Sequence, residues 1–217
     1  MNLLCISASN IAHQSSENST SYRICQIATD KFSANCNGEK SRIIELRHKV
    51  IQPCVGCGKC YESHRCVQSD DFNDIYDEIV CTDILLIVSP HYAPIPAKLA
   101  ALLEKMEQIT FLHWCKDNAW RSEVFGKPVG IISHGGGGAR ALKSYKRMVN
   151  DTIANALDTI QLKPVSLNSK WDTGISIPVK KAVFNKGSVF PSQEYDWELI
   201  ADTVSNYLEA VREVFGR

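Results

Sequence analysis

The chain has 217 residues, 44% hydrophobic and 22% charged, an ordinary globular composition that excludes a fibrous or disordered polypeptide. Lys plus Arg and Asp plus Glu each number 24, so the formal net charge is zero, and charge gives no general attraction to nucleic acid or an anionic membrane. No apolar run approaches the ~20 residues of a membrane-crossing helix, and Met1–Ile6 lacks the basic flank of a secretory signal.

The expectation is a soluble cytoplasmic protein, one domain over 1–217, without nucleic-acid or membrane partners. Burial of roughly 70% of the unfolded surface is available at this size, so folding does not require disulfides or metal. In chain order, Asn2–Ser7 is a short apolar run and reads as a buried strand. A Ser/Asn-rich loop runs from there to Asn18. Ser19 to about Ala34 places Ile24, Ile27, Ala28 and Phe32 at helical spacing behind Ser/Thr caps, with Asn37–Gly38 as a stop. Arg42–Leu46 is a second strand.

Pro53–Val67 is too rich in Gly and Cys for regular structure. Asp70 and Asp71 open a helix carrying Phe72, Ile75, Ile79 and Val80, where carboxylates oppose the helix dipole. Asp83–Ser89 is continuously apolar, as in a central strand covered on both faces. Ala97–Ile109 is helical and His113–Phe125 aromatic and irregular. Lys127–Ser133 is a fourth strand, Ala139 to about Leu157 a helix, Gln161–Leu167 a fifth strand, Pro178–Ser192 irregular, and Glu194–Phe215 a closing helix.

Alternating strands and helices predict an α/β fold: a doubly wound, five-stranded parallel sheet of flavodoxin-like order 2-1-3-4-5, layered α/β/α. Ligands of such sheets bind beyond the carboxyl ends of the strands. Three segments fall there. Ser7, Ser9, Asn18, Ser19 and Thr20 combine hydroxyls with a helix N-terminus, an anion site that needs no formal charge, or equally a capped polar loop. Walker and GxGxxG patterns are absent. Ser89–Pro96 carries three prolines; it reads as a rigid turn or as a seat for a flat apolar ligand beside Tyr92. Ser133–Gly138 ends in four glycines, which suit close approach of backbone to a ligand. His134 beside them is a proton donor or, more simply, structural.

Four of the nine cysteines follow the pattern Cys54-x2-Cys57-x2-Cys60-x5-Cys66. Two-residue gaps let a winding loop aim successive sulfurs at one centre, with Gly56 and Gly58 permitting tight backbone. Four thiolates can hold a [4Fe–4S] cluster or zinc. Zinc sites usually pair two CxxC knuckles across a longer gap, so the tandem favours iron–sulfur. The scattered cysteines read as small buried hydrophobes.

Ile6-Ser7-Ala8-Ser9, Asn18-Ser19, the cysteine motif with Asp70-Asp71 after it, and Ser89-Pro90-x-Tyr92 occur in that order. Together they resemble the iron–sulfur flavoproteins, within the NADPH-dependent FMN reductase branch of the flavodoxin-like fold, over about Leu3 to Gly138. The resemblance implies FMN with its phosphate on Ser7, Ser9, Asn18, Ser19 and Thr20. It puts the ring on Pro90, His91, Tyr92, Ala93, Ile95, Ser133, Gly135, Gly136, Gly137 and Gly138. It implies a [4Fe–4S] cluster on Cys54, Cys57, Cys60 and Cys66, and a homodimer or homotetramer. Ferredoxin or NAD(P)H would donate electrons to a small acceptor, with FMN handling electron pairs and the cluster single electrons. No catalytic triad is expected, since the chemistry is the flavin's. Ala8 stands where the family has Gly, no Arg is present in the first loop, and Pro94 replaces a frequent Gly. Two other readings remain: an NAD(P)H-dependent FMN or quinone reductase whose cysteines are reduced or zinc-bound, and a non-catalytic flavodoxin-like binding module.

Overall fold

A computed structural model describes residues 1–11, 19–34, 40–184, 186–187 and 191–216. The expected stop at Asn37–Gly38 and the candidate ligand Asn18 lie outside the described residues. The elements in chain order are β1 (Asn2–Ser7), α1 (Thr20–Ala34), β2 (Lys40–Glu45), α2 (Cys60–Ser63), α3 (Phe72–Cys81), β3 (Ile84–Pro90), α4 (Ala97–Trp114) and β4 (Pro128–His134). After these come α5 (Leu142–Tyr145), α6 (Asp151–Thr159), β5 (Lys163–Pro164), β6 (Ile175–Ile177), β7 (Lys181–Val183), β8 (Ser192–Glu194) and α7 (Trp197–Phe215).

The main sheet has the order β2-β1-β3-β4-β5, every pair parallel, as expected. β3 and β4 are buried at every position, because helices cover both faces and leave no solvent side for polar alternation. One apolar layer joins α3, α4 and α6 to the sheet through Phe72, Ile79, Leu102, Met106 and Leu157. The other joins α1 and α7 through Ile24, Phe32, Val204 and Tyr207. Among the described residues no helix is long and apolar enough to cross a membrane.

The fifth strand departs from the expected Gln161–Leu167. β5 pairs only with Pro128 and Val129. The chain then leaves the sheet, and β6 resumes against Ile132–His134. Tyr207 of α7 fills the gap: its hydroxyl accepts from the Ile131 N–H (3.0 Å) and donates to the Val165 carbonyl (2.7 Å). Two buried backbone groups that a continuous ladder would have paired are thereby satisfied. Gly174, at φ +110°, enters β6 so close to β4 that a Cβ would collide with the Ile131 carbonyl oxygen.

Other boundaries also shift. α4 runs past Ile109 to Trp114, so His113 is helical; its Nδ1 lies 2.8 Å from the Ile109 carbonyl. The segment after Pro178, expected to be irregular, contains the antiparallel β7–β8 hairpin. The last helix starts at Trp197, where the Asp196 carboxylate caps the Leu199 N–H. The helix after the glycines begins with a 3-10 turn and passes through a π segment at Lys146–Asn150. Within the cysteine segment Cys60–Ser63 forms one helical turn.

Candidate functional site

The register of the parallel strands brings the three candidate loops to one edge of the sheet. Ser7 pairs with Val88, and Pro90 with His134. The loops are then tied to one another. The His91 N–H donates to the His134 carbonyl (2.9 Å), and His134 Nε2 meets Ser21 Oγ of α1 at 2.7 Å. His134 therefore joins the glycine loop to the start of the first helix. Burial drives its pKa down to about 4, because a cationic ring has no solvent there. His134 is structural, as the simpler reading of the sequence has it.

In the first loop Ser7, Ser9 and Ser19 are all buried. Ser9 Oγ accepts from the Ile11 N–H, and Ser19 Oγ accepts from the Tyr22 N–H as a helix cap. Thr20 begins α1. This loop has no Arg of its own, but Arg47 reaches it from just beyond β2: Nη1 donates to the Ile11 carbonyl (3.2 Å) and Nε lies 2.8 Å from Glu45.

In the second loop Pro90 ends β3, and Ala93 holds a left-handed φ of +46°. The Tyr92 N–H donates to the Pro94 carbonyl (3.0 Å). Tyr92 is 40% exposed at the carboxyl edge of the sheet, while Ile95 packs against the core. His91 sits 5.7 Å from the Tyr145 ring, and its Nε2 is buried with no hydrogen-bond partner. A buried polar atom of this kind suits a polar ligand atom at this edge of the sheet.

In the third loop Ser133 lies within the sheet, its hydroxyl 2.7 Å from that of Ser176, so its side chain is committed to β6. Gly135 and Gly137 have a specific neighbour that the sequence did not announce, Tyr145. A Cβ at either would fall 2.7 Å from the Tyr145 hydroxyl, and the Gly137 N–H donates to that hydroxyl (2.6 Å). Gly136 faces the Gln193 amide and Gly138 the Val179 carbonyl. Two of the four glycines are thus demanded by an internal tyrosine.

The cysteine loop is closed at its base by carboxylates. Asp71 accepts from the Val50 N–H (2.6 Å), and Asp70 accepts from the Gln52 and Phe72 N–H groups (2.8 and 3.0 Å). Asn73 clamps Cys66, accepting from its N–H and donating to its carbonyl, each at 2.8 Å. Glu104 of α4 accepts from the Cys54 N–H at 3.0 Å. Gly56 and Gly58 turn the loop at φ +63° and +70°, a backbone region open to glycine, and the Gly56 N–H lies 3.4 Å from Cys54 Sγ.

Cys54, Cys57, Cys60 and Cys66 line one pocket together with Lys105. Burial foremost, and then the other three thiols, raise the pKa of Cys60 against a backbone hydrogen bond that lowers it. Among the described residues no three His, Cys, Asp or Glu side chains could share one metal ion. Ring contacts fasten the loop from outside: His113 is stacked between Tyr61 (4.8 Å) and Trp120 (4.5 Å).

Comparisons with known proteins give the family and the fold. Residues 1–171 match the model of the NADPH-dependent FMN reductase family. An iron–sulfur flavoprotein of Methanosarcina thermophila is 29% identical over 69 residues. That match spans 31% of this chain and only 36% of the relative. Two solved structures share the fold at 12% identity. One is RosB with a bound 8-demethyl-8-formylriboflavin-5'-phosphate intermediate (TM-score 0.58, covering 100% of this chain and 76% of that one). The other is a flavodoxin of Streptococcus pneumonia TIGR4 (TM-score 0.51, covering 98% and 99%).

Proposed function

Since the chain belongs to the NADPH-dependent FMN reductase family, we propose that it is a flavin-dependent oxidoreductase with FMN at the carboxyl edge of the sheet and a [4Fe–4S] cluster in the cysteine loop. Its reaction is the transfer of electrons from ferredoxin or NAD(P)H to a small acceptor. The observation that carries the reading is the mutual tethering of the three loops, from Ser21 to His134 to His91.

FMN supplies exchange between electron pairs and single electrons, and the cluster supplies single-electron capacity. The chain's own part is binding and orientation. Ser7, Ser9, Asn18, Ser19, Thr20 and the N-terminus of α1 hold the phosphate. Pro90, His91, Tyr92, Ala93, Ile95 and Gly135 to Gly138 bound the ring, with Ser133 contributing through backbone alone. The four thiolates hold the cluster. What favours a cluster over zinc is the spacing, three cysteines in tandem where zinc sites usually pair two CxxC knuckles across a longer gap. Subunits associate as a homodimer or homotetramer.

The test is FMN, iron, sulfide and zinc stoichiometry on anaerobically purified protein. One FMN with four iron and four sulfide per chain is expected. Zinc without sulfide overturns the cluster, and failure to retain or bind FMN overturns the flavin site.

A further inference from the structure

Residues beyond Trp171 lie outside the family match, yet they return to the glycine loop. The Val179 N–H donates to the Gly137 carbonyl (3.0 Å), seating the base of the β7–β8 hairpin on the glycine loop, and the Lys180 N–H donates to the Glu194 carbonyl (2.8 Å), closing that base. Gln193 places its amide nitrogen 3.1 Å from where a Gly136 Cβ would stand.

Tyr195 comes just after the hairpin and is only 8% exposed. Its hydroxyl donates to Gln193 Oε1 at 2.8 Å, and the Thr20, Tyr92 and Tyr145 hydroxyls are among the groups that act on it. Its ring packs 5.2 Å from Trp197, and the Arg23 guanidinium of α1 sits 3.9 Å over Trp197. The phenol is thus held against the first turns of α1 by contacts on two sides. The first loop carries no Arg, Arg47 is engaged with Glu45 and Ile11, and Arg23 rests on Trp197. Among the described residues, the donors nearest this helix end are therefore neutral hydroxyls and backbone N–H groups.

We propose that Tyr195 belongs to the flavin site and, with Thr20, donates to the terminal phosphate of FMN, so that the chain selects FMN over riboflavin. The inference rests on the flavin reading above. A hydroxyl donating to a phosphate dianion forms a stronger bond than one donating to a neutral amide. Phosphate arriving at the first turn of α1 accordingly draws the Tyr195 hydroxyl away from Gln193. Riboflavin, which has no phosphate, leaves the Tyr195–Gln193 bond in place.

The experiment measures dissociation constants of FMN and riboflavin by flavin fluorescence, with flavin-stripped wild-type protein and Tyr195→Phe. The expected result is tighter binding of FMN than riboflavin by the wild type. Tyr195→Phe should weaken FMN about tenfold or more while riboflavin stays within about twofold. Unchanged FMN affinity, or an equal loss for both flavins, overturns the role of Tyr195. Wild-type protein that binds neither flavin overturns the flavin site itself. If Tyr195→Phe fails to fold, hydrogen exchange on the wild type decides: FMN, and not riboflavin, should change protection at residues 191–195. The same response to both flavins, or none to FMN once bound, overturns the proposal.

Discussion

Lys105 Nζ and Asp70 Oδ2 stand 2.5 Å apart with side chains 1% and 0% exposed, and Lys105 also lines the four-cysteine pocket. The same carboxylate accepts from the Gln52 and Phe72 N–H groups. Asp70 therefore closes the cysteine loop while Lys105 supplies the buried charge that permits it. Burial alone would raise the Asp70 pKa, but Lys105 and the two backbone donors outweigh it and hold the carboxyl below its usual range.

Lys105→Met leaves a buried carboxylate without its counter-charge. It is expected to destabilise the fold by about 3–5 kcal/mol, read from the midpoint of urea unfolding. Lys105→Met combined with Asp70→Asn should cost less than the sum of the single changes, as a double-mutant cycle will show. Additive losses would mean that the two side chains do not depend on each other.

His134 gives a pH dependence of known sign. Its folded pKa of about 4 lies below the unfolded value of ~6.5, so between these values the unfolded chain binds the extra proton. Stability is full above pH ~6.5 and declines as pH falls toward 4, by about 3 kcal/mol in all. His134→Gln should flatten this slope in denaturation curves at stepped pH. An unchanged slope would assign the titration to another group.

The split fifth strand predicts a stability effect remote from the site. Tyr207→Phe orphans the Ile131 N–H and the Val165 carbonyl, at about 1–3 kcal/mol for each buried group left unpaired. Gly174→Ala should be worse than an ordinary Gly→Ala change, since its Cβ would strike the Ile131 carbonyl at a positive φ. Chemical denaturation of both variants checks this.

The four glycines should separate into two classes. Gly137→Ala meets Ala141 Cβ at 2.6 Å and the Tyr145 hydroxyl at 2.7 Å, so the loop must move, and a loss of flavin affinity of about tenfold or more is expected. A Cβ at Gly138 meets its nearest atom, the Val179 carbonyl oxygen, at 3.5 Å, an ordinary contact that leaves the loop's own packing in place, so Gly138→Ala should lose clearly less flavin affinity than Gly137→Ala. Fluorescence titration with FMN distinguishes the two, and equal behaviour would show that Tyr145 does not shape the loop.

The amino-acid sequence by itself pointed to the doubly covered parallel sheet, because Leu3–Ile6 and Ile84–Val88 are continuous apolar runs, and to its order through the alternation of strands with helices. It also marked the turning points of the cysteine loop, where Gly56 and Gly58 occupy left-handed positions, and the carboxylates Asp70 and Asp71 at the start of α3. These features are written in neighbouring residues. Tertiary structure alone decided where β5 breaks, since strands of two and three residues are defined by the register of β4 and by Tyr207 far along the chain. It alone assigned the glycine loop to Tyr145, the cysteine pocket to Lys105 and the first turn of α1 to Tyr195. Each of these is an ordinary aromatic or charged residue within an amphipathic pattern, and its partner lies dozens of positions away or on another element. Local periodicity carries no record of which distant backbone group a hydroxyl or an ammonium will meet once the layers close.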